Sequence, residues 1–397
     1  MVDKAQFPIG AGVTLAQLEQ DPHPTLHRLR AEEPVSWLPA QKAWLVTRWA
    51  DAVEVMRDAH TYTVDYPGFS TAQVVGPSML SLDGEAHVQH RRPFEKPFRR
   101  REVQQRFKQA VAHHITTLLD GLAANGRAEL RRDYAGPIAV NTMIAALGLV
   151  DVSVSAILDW YDAIVEAVTQ VTGGESVSQE GREAFAALRQ SLLPALRRQP
   201  ESSLLAAASG MSGGLSEEQI VSNAAVLLFG GIETTEGMIA NALYFLLTNP
   251  ETLDRASADS SLVTGVLEET LRLEPAAAVV DRCAVEDVEL RGASIRQGDL
   301  VRVSLSGANR DPAVFPDPDR FDPARPNLQS HVAFAQGPHV CLGLHLARLE
   351  AQHALTQLIW RFPGLTLEET AAAYADARPR GLVFRKPEAL RAIWGQQ

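Results

Sequence analysis

The sequence predicts a mainly α-helical fold with small β-sheets, on three observations. Apolar residues recur at helical spacing through most of the 397 residues. Two tracts, residues 279–305 and 381–394, instead combine β-branched residues with turn residues in a pattern typical of strands. No internal repeat, low-complexity segment or Gly/Ser linker interrupts the chain, whose length suits one large domain or two.

The helices are predicted from periodicity, and their breaks are predicted at prolines, which cannot donate a helical hydrogen bond. Helical periodicity covers residues 14–32, 43–59 (after a short strand), 86–123, 151–168, 179–197 and 216–247. The expected breaks lie at Pro22, Pro24, Pro93 and Pro97. Residues 306–340 are rich in Pro, Asp, Asn and Gly, and a loop of that length is expected to be functional.

Composition narrows the classes of function. The formal net charge of −11 argues against nucleic acid as the main partner. The sequence has no run of about 18 apolar residues, so no membrane span is predicted. The N-terminus has no apolar stretch of signal-peptide length. Two cysteines cannot build a disulfide framework, so a reducing, cytoplasmic location is predicted.

The segment "FAQGPHVCLG", residues 334–343, places Cys341 between two glycines and just before a strongly periodic helix. A helix N-terminus stabilises a thiolate, and Gly337 and Gly343 permit positive φ or the close approach of a flat partner. A thiolate against a flat group suggests an axial haem ligand. Two other interpretations stay open, a small buried thiol and a zinc site with His339, although no second cysteine has ligand spacing.

Three further patterns have both an ordinary and a functional interpretation. Glu269 and Arg272, spaced i,i+3, predict an ion pair that is usually a surface feature. Gly230 and Gly231 each cost about 1 kcal/mol inside a helix, and they serve either helix packing or a ligand beside the helix. His87 lies four residues before an arginine, on one helix face, and such a basic pair is commonly solvated.

Together these segments resemble the cytochrome P450 family. Phe334, Gly337, Cys341 and Gly343 match its haem-binding signature, Phe-x-x-Gly-x-x-x-Cys-x-Gly, although the family commonly has glycine where this chain has Ala335. The resemblance spans roughly residues 35–394. It implies a single domain over residues 1–397 with the cytochrome P450 fold, a triangular prism that holds the haem between the long central helix and the helix after the cysteine loop.

The resemblance also implies roles around a haem b cofactor. Cys341 is expected to be the iron ligand, with Phe334, Gly337, Gly343, Gly230 and Gly231 close to the haem. The propionates are expected to bind four donor residues, His87, Arg91, Arg282 and His339. A buried ion network is expected to lock the cysteine loop, formed by Glu269, Arg272 and Arg320, the last from the segment "PDRF".

The implied activity is a monooxygenase reaction with dioxygen and two electrons. Thr234 is expected to hydrogen-bond the dioxygen, and Glu233 to supply protons through water. The substrate is expected to be a medium-sized hydrophobic compound, such as a terpenoid, a fatty acid or a polycyclic molecule. Its pocket is expected to be lined by residues 74–80 and by Val226, Gly230, Ala276, Ala277, Ala278, Val279, Leu382 and Val383.

The electron source is expected to be a ferredoxin with its NAD(P)H-dependent reductase, and the chain is expected to be a monomer. Residues 91–108 hold eight basic and two acidic residues, either a solvated helix face or a docking patch for that acidic donor. Two other functions stay open. A peroxide-driven peroxygenase often replaces the acid–alcohol pair with Arg-Pro, unlike this chain, and a haem sensor or carrier would never consume dioxygen.

Overall fold

Helices dominate the structure, which confirms the mainly α prediction. The structure is a computed structural model that describes residues 6–149, 152–172, 175–197, 203–209 and 214–395. From the N-terminus to the middle of the chain the helices are α1 (Pro8–Ala11), α2 (Leu15–Gln20), α3 (His23–Glu32), α4 (Trp49–Arg57), α5 (Ser70–Val75), α6 (Gly84–Glu95), α7 (Arg100–Arg106), α8 (Lys108–Leu122) and α9 (Gly136–Leu147).

The second half is also helical. Its helices are α10 (Val154–Thr172), α11 (Gln179–Leu196), α12 (Leu204–Ser209), α13 (Glu217–Leu247), α14 (Pro250–Ala258), α15 (Leu262–Leu273), α16 (Leu305–Ala308), α17 (Leu344–Arg361) and α18 (Ala371–Asp376). Two predicted breaks are wrong, because Pro24 lies in the first turn of α3 and Pro93 lies inside α6. Pro22 and Pro97 fall in the gaps before α3 and α7.

In the part of the chain that the structure describes, the strands form three small sheets. They are β1 (Val35–Leu38), β2 (Ala43–Val46), β3 (Tyr62–Thr63), β4 (Arg127–Glu129), β5 (Val279–Ala284), β6 (Val288–Leu290), β7 (Ala293–Ile295), β8 (Leu300–Ser304), β9 (Thr366–Leu367) and β10 (Arg391–Ile393). The largest sheet has the order β1-β2-β8-β5-β3, with β2 and β8 parallel and its other pairs antiparallel. The predicted strand tract at 279–305 therefore gives four strands, whereas the tract at 381–394 gives only β10.

The long helix α13 organises the core. Its N-terminus is fixed by a capping box in which Ser216 and Gln219 satisfy each other's backbone N–H groups. Along its length α13 packs against α9, α15 and α17, and its C-terminal half is almost completely buried. One face of α13 therefore lies in the core, and its middle, around residues 230–236, remains partly accessible.

The long loop between α16 and α17 is held by buried polar side chains. The Asn309 Oδ1 atom accepts the Val332 N–H at 2.7 Å, and Arg272 donates to the carbonyl groups of Asn309 and Pro318. Because these groups are removed from water, each lost bond would leave a buried polar atom unsatisfied. The loop can thus hold one conformation without regular secondary structure.

Candidate functional site

The cysteine loop places Cys341 three residues before the first residue of α17. The Cys341 N–H donates to the Phe334 carbonyl at 2.9 Å, which closes the loop on itself. Burial raises the pKa of the Cys341 thiol above its ordinary value, and the N–H groups of Gly343 and Leu344 oppose that change by hydrogen bonding. A thiolate here therefore needs a cationic partner such as a metal ion.

The two glycines of the loop serve different purposes. Gly337 has φ +76°, and a Cβ there would lie 2.5 Å from the Met56 carbonyl oxygen, so both backbone and space require glycine. Gly343 has φ −82°, so positive φ does not explain it, and a Cβ there would meet only the Phe98 ring, at 4.0 Å. Its second expected purpose, room for a close partner, fits this open surrounding.

Ala335 has φ +58°, in the left-handed region that favours glycine. A non-glycine residue there costs about 1–2 kcal/mol. The glycine that the resemblance led us to expect at this position therefore has a backbone reason, and Ala335 is strained where glycine would not be.

The buried ion network behind the loop exists, but Arg320 does not belong to it. Arg272 holds Glu269 with two hydrogen bonds, Nε–Oε2 at 2.7 Å and Nη2–Oε1 at 2.8 Å. The third member is Arg325, whose Nε lies 3.3 Å from Glu269 Oε1. The Arg320 side chain is exposed and only its carbonyl takes part, so its predicted role is wrong.

A second buried network lies beside the first and was missed by sequence reasoning. Glu268 accepts from Arg348 Nε at 2.6 Å and pairs with His331 Nε2 at 3.0 Å. Burial raises the pKa of Glu268, but bonds from Arg348 and His331 outweigh it and lower the value to about 2. The Arg348 guanidinium also lies 4.5 Å from the centroid of Phe334, a cation–π contact that fixes this ring of the loop. The adjacent acids in "EETLR" were the available signal.

Histidine and arginine side chains meet beside the cysteine loop. The His87 and His339 ring centroids are 4.4 Å apart, and His339 Nε2 bonds Asp83 Oδ1 at 2.7 Å, a partner that the sequence did not indicate. Burial, with the charges of His339 and Arg91, lowers the pKa of His87 to about 4. Arg91 Nη2 donates to the Val340 carbonyl at 2.7 Å and so ties α6 to the loop.

Two donors in this cluster lack a protein partner within the described ranges. The buried atoms His87 Nε2 and Arg282 Nη2 make no hydrogen bond there, although Arg282 Nη1 donates to the Asp281 carbonyl at 2.8 Å. Buried polar groups are normally satisfied, so unpaired donors indicate an absent acceptor. Carboxylate groups such as haem propionates suit these donors, and the residues present therefore fit a haem.

The two glycines in the middle of α13 have different surroundings. A Cβ at Gly230 would meet nothing within 4 Å, whereas one at Gly231 would lie 2.4 Å from Met143 Sδ on α9. Gly230 thus leaves open space, and Gly231 permits helix packing, which corrects the expectation that both make room for a ligand. Thr234 Oγ1 donates to the Gly230 carbonyl at 2.5 Å.

Glu233 is held by residues that sequence reasoning did not find. The Lys386 Nζ atom lies 2.9 Å from Glu233 Oε1, and the Tyr161 hydroxyl donates to Glu233 Oε2. Lys386 also pairs with Glu236 at 2.7 Å. Lysine is scarce in this chain, with five residues among 37 basic ones, and that scarcity was the only available signal for Lys386.

The structure places the predicted pocket residues in different surroundings. Ala276 packs in the core, where its Cβ would lie 3.0 Å from a Cβ at Gly237, so it leaves no space for a substrate. Val279 and Leu382 line a cleft against the N-terminal helices, together with buried Ala278. The other members are the partly buried Val226 and Ala277, the open Gly230 and the exposed Val383.

The described residues include neither a candidate metal-binding group nor a candidate membrane-spanning helix. No group of three or more His, Cys, Asp or Glu side chains there could hold a metal ion. No helix in that part of the chain is both long and apolar enough to span a bilayer.

Comparisons with known proteins agree with this geometry. The family model described as "Cytochrome P450" matches residues 183–391. The mycinamicin IV hydroxylase/epoxidase of Micromonospora griseorubida is 34% identical, over 92% of this chain and 94% of that protein. The vitamin D(3) 25-hydroxylase of Pseudonocardia autotrophica is 33% identical, over 88% of each.

The fold agrees as well. The crystal structure of CalO2 superposes with a TM-score of 0.87 at 28% identity, covering 96% of this chain and 98% of that one. The predicted resemblance and fold are therefore confirmed. The chain belongs to the cytochrome P450 family, whose members are haem-thiolate enzymes that use protoporphyrin IX.

Proposed function

We propose that this P450 monooxygenase hydroxylates an uncharged, medium-sized hydrophobic molecule, with electrons from a ferredoxin and its reductase. The observation that carries the proposal is the partly buried Cys341 thiol just before α17, in a loop locked by two ion networks. A single domain over residues 1–397 and a cytoplasmic location accompany it. When bound, the haem supplies the centre at which dioxygen is activated.

The proposed haem contacts follow from the unpaired donors and the glycines. Cys341 Sγ is the iron ligand, and the donors His87 Nε2 and Arg282 Nη2 hold propionate oxygens. Arg91 and His339 complete the set, with His339 oriented by Asp83 at 2.7 Å. The remaining neighbours of the haem are Phe334, Gly337, Gly343 and Gly230, whereas Gly231 faces α9.

The proposed proton path begins at α13. The Thr234 hydroxyl lies next to the open surface at Gly230 and can turn from the Gly230 carbonyl toward an incoming oxygen. Glu233 is the acid that exchanges protons with water. Retention of both residues supports a reaction driven by dioxygen over one driven by peroxide.

Uncharged residues support a neutral substrate. Residues 66–82 contain no Asp, Glu, Lys, Arg or His, and their helix α5 packs against α10, α11 and α13. A carboxylate or ammonium group buried there would have no counter-charge from this segment, and burying it would be costly. The relatives named mycinamicin IV hydroxylase/epoxidase and vitamin D(3) 25-hydroxylase support a terpenoid or polycyclic molecule, and the missing counter-charge in this segment disfavours a free fatty acid.

The proposed docking surface for the electron donor is the basic patch, the charged side chains of residues 91–108. Its exposed cations include Arg92, Lys96, Arg99, Arg100 and Arg101. Attraction to an acidic ferredoxin raises the association rate and weakens with salt. A reduction rate that does not fall between low and high ionic strength would contradict this surface.

The reduced-CO difference spectrum tests the central claim. The wild type is expected to give the red-shifted Soret band of thiolate ligation, and Cys341→Ser is expected to abolish that shift. The matched control is Cys283→Ser, which changes the chain's only other cysteine and should leave the band unchanged. A wild-type band without the red shift would refute the proposal.

Turnover then separates the reaction classes. A panel of steroids, macrolides and fatty acids is screened for a Soret shift, and the strongest binder is incubated with NAD(P)H, ferredoxin and reductase. Product under these conditions supports the monooxygenase. Product with hydrogen peroxide alone would indicate a peroxygenase, and the absence of dioxygen consumption with any reductant would indicate a sensor or carrier.

A further inference from the structure

A chain of ionisable side chains connects four parts of the protein at the middle of α13. It consists of Tyr161 on α10, Glu233 and Glu236 on α13, Lys386 in the segment before β10, and Arg131 in a π-helical turn before α9. Lys386 lies between the two glutamates, 2.9 Å from Glu233 and 2.7 Å from Glu236. Arg131 Nε follows at 3.6 Å from Glu236.

The geometry directs the Glu233 carboxylate away from Thr234. Successive helix residues do not face each other, so these two side chains need an outside influence to cooperate. Glu233 already uses Oε1 for Lys386 and Oε2 for the Tyr161 hydroxyl. Both oxygens are thus oriented by residues distant in sequence, and neither partner is fully exposed, with 17% exposure for the Lys386 side chain.

We propose that Lys386 is a positioning residue for proton supply, one that fixes the direction and charge of the Glu233 carboxylate. Its ammonium carries three donors on a flexible stem, so it can keep Glu236 while Glu233 turns. Glu236 therefore serves as the anchor that retains Lys386 when Glu233 exchanges a proton with water. Tyr161 is the second residue that orients Glu233. Its hydrogen bond connects the Glu233 carboxylate to α10, which packs against α5.

Lys386 also prevents repulsion between its partners. Glu233 and Glu236, spaced i,i+3, share one helix face, and like charges at this spacing destabilise a helix. Removal of the ammonium would leave two neighbouring carboxylates, of which Glu236 keeps its ion pair with Arg131. The Glu233 side chain would then turn toward solvent, and its orientation for proton supply would be lost.

The inference rests on the proposed function, and the experiment separates the two. Product and hydrogen peroxide are measured per NAD(P)H for the wild type, Lys386→Met, Lys386→Arg and Glu233→Gln, with the panel compound that gives the largest Soret shift. Lys42→Met, in the exposed turn between β1 and β2, is the control. A positioned proton donor contributes roughly 10²–10⁴-fold, so Glu233→Gln should lose about a hundredfold in product rate.

Lys386→Met should lose about tenfold in product rate and release more peroxide. Dioxygen that has taken up two electrons and two protons leaves as hydrogen peroxide when the proton from Glu233 does not arrive in time for O–O cleavage. Lys386→Arg should recover the rate to within about threefold, because a guanidinium can bridge both carboxylates. Combined with Glu233→Gln, Lys386→Met should add little further loss. Wild-type product and peroxide in Lys386→Met, or fully additive losses, would overturn the inference. An unaffected Glu233→Gln would instead overturn the proposed proton path.

A readout without turnover completes the test. Urea midpoints of the wild type, Lys386→Met, Glu233→Gln and the variant that carries both substitutions form a double-mutant cycle, in which coupled residues give non-additive shifts. Non-additive midpoints for Lys386→Met and Glu233→Gln support the contact, and additive midpoints count against it. If Lys386→Met does not fold, Tyr161→Phe is tested instead. Wild-type yields of product and peroxide in Tyr161→Phe would overturn the inference that both side chains orient Glu233.

Discussion

The charged groups behind the cysteine loop differ in burial from those in the middle of α13. Glu269 and Arg272 are completely buried, and the Glu268 side chain is 2% exposed. Glu233 and Lys386 are 14% and 17% exposed. Both sets are paired, but only the second can reach water without breaking the fold.

This difference matches two physical demands. A buried, satisfied network is rigid, because each lost bond leaves an uncompensated charge in a low dielectric. Such a frame suits a loop that must present one thiol in one position. A partly exposed pair is weaker and can exchange partners, which suits a carboxylate that must exchange protons.

The largest expected effect tests the buried ion network around Glu269. Arg325→Ala removes one ion-pair partner of Glu269 and leaves the carbonyl groups of Pro316, Asp317 and Arg320 without this donor. We expect a loss of about 3–5 kcal/mol in the free energy of unfolding, measured by urea denaturation. Arg320→Ala, an exposed arginine of the same loop, should change it by less than about 0.5 kcal/mol. Equal losses in the two variants would show that the frame is assigned wrongly.

A pH titration of stability should separate two buried glutamates of the same region. Glu268 has its pKa lowered to about 2, so the stability that it contributes is present above its ordinary value of 4.5 and is lost as the pH falls toward 2. Between pH 5 and pH 3 this loss is about 2 kcal/mol. The difference in unfolding free energy between wild type and Glu268→Gln should therefore shrink on acidification.

Glu350 should behave in the opposite sense. Burial raises the pKa of this carboxyl well above 4.5, so the folded protein carries it neutral and loses stability as the pH rises from that value. The unfolding free energy of Glu350→Gln relative to that of the wild type should therefore increase as the pH rises. If the relative unfolding free energy of Glu350→Gln instead increased on acidification, Glu350 would not be a neutral buried acid.

The third prediction compares the glycines of α13. Gly231→Ala forces the buried Met143 side chain to move and should cost about 1–2 kcal/mol in unfolding free energy. Gly230→Ala has open space and should instead stabilise the helix by up to about 1 kcal/mol in urea denaturation of the haem-free protein. A loss from both substitutions would mean that the surroundings of Gly230 are closed.

The smallest effect concerns the strain in the cysteine loop. Ala335→Gly should raise the unfolding free energy by about 1 kcal/mol, because glycine adopts φ +58° without steric cost. Ala333→Gly, in the same loop, is the control and should not stabilise the protein. A destabilised Ala335→Gly would mean that the methyl group's packing against the β-sheet core outweighs the strain.

The sequence by itself determined features that depend on neighbours along the chain. The Glu269–Arg272 pair follows from the i,i+3 geometry of a helix, and the site of Cys341 follows from a loop that leads into a periodic helix. Helix existence was likewise predictable, whereas Pro93 shows that a helix can retain a proline within its length.

Tertiary structure decided whatever depends on how distant segments meet. Arg325 and Arg320 lie in one irregular loop without periodicity, so only the folded path shows which side chain turns inward to Glu269. Lys386 reaches Glu233 from a segment far along the chain. Local spacing fixes pairs on one helix, but partners across segments are chosen by packing, because burial makes each unpaired charge costly wherever the chain brings it.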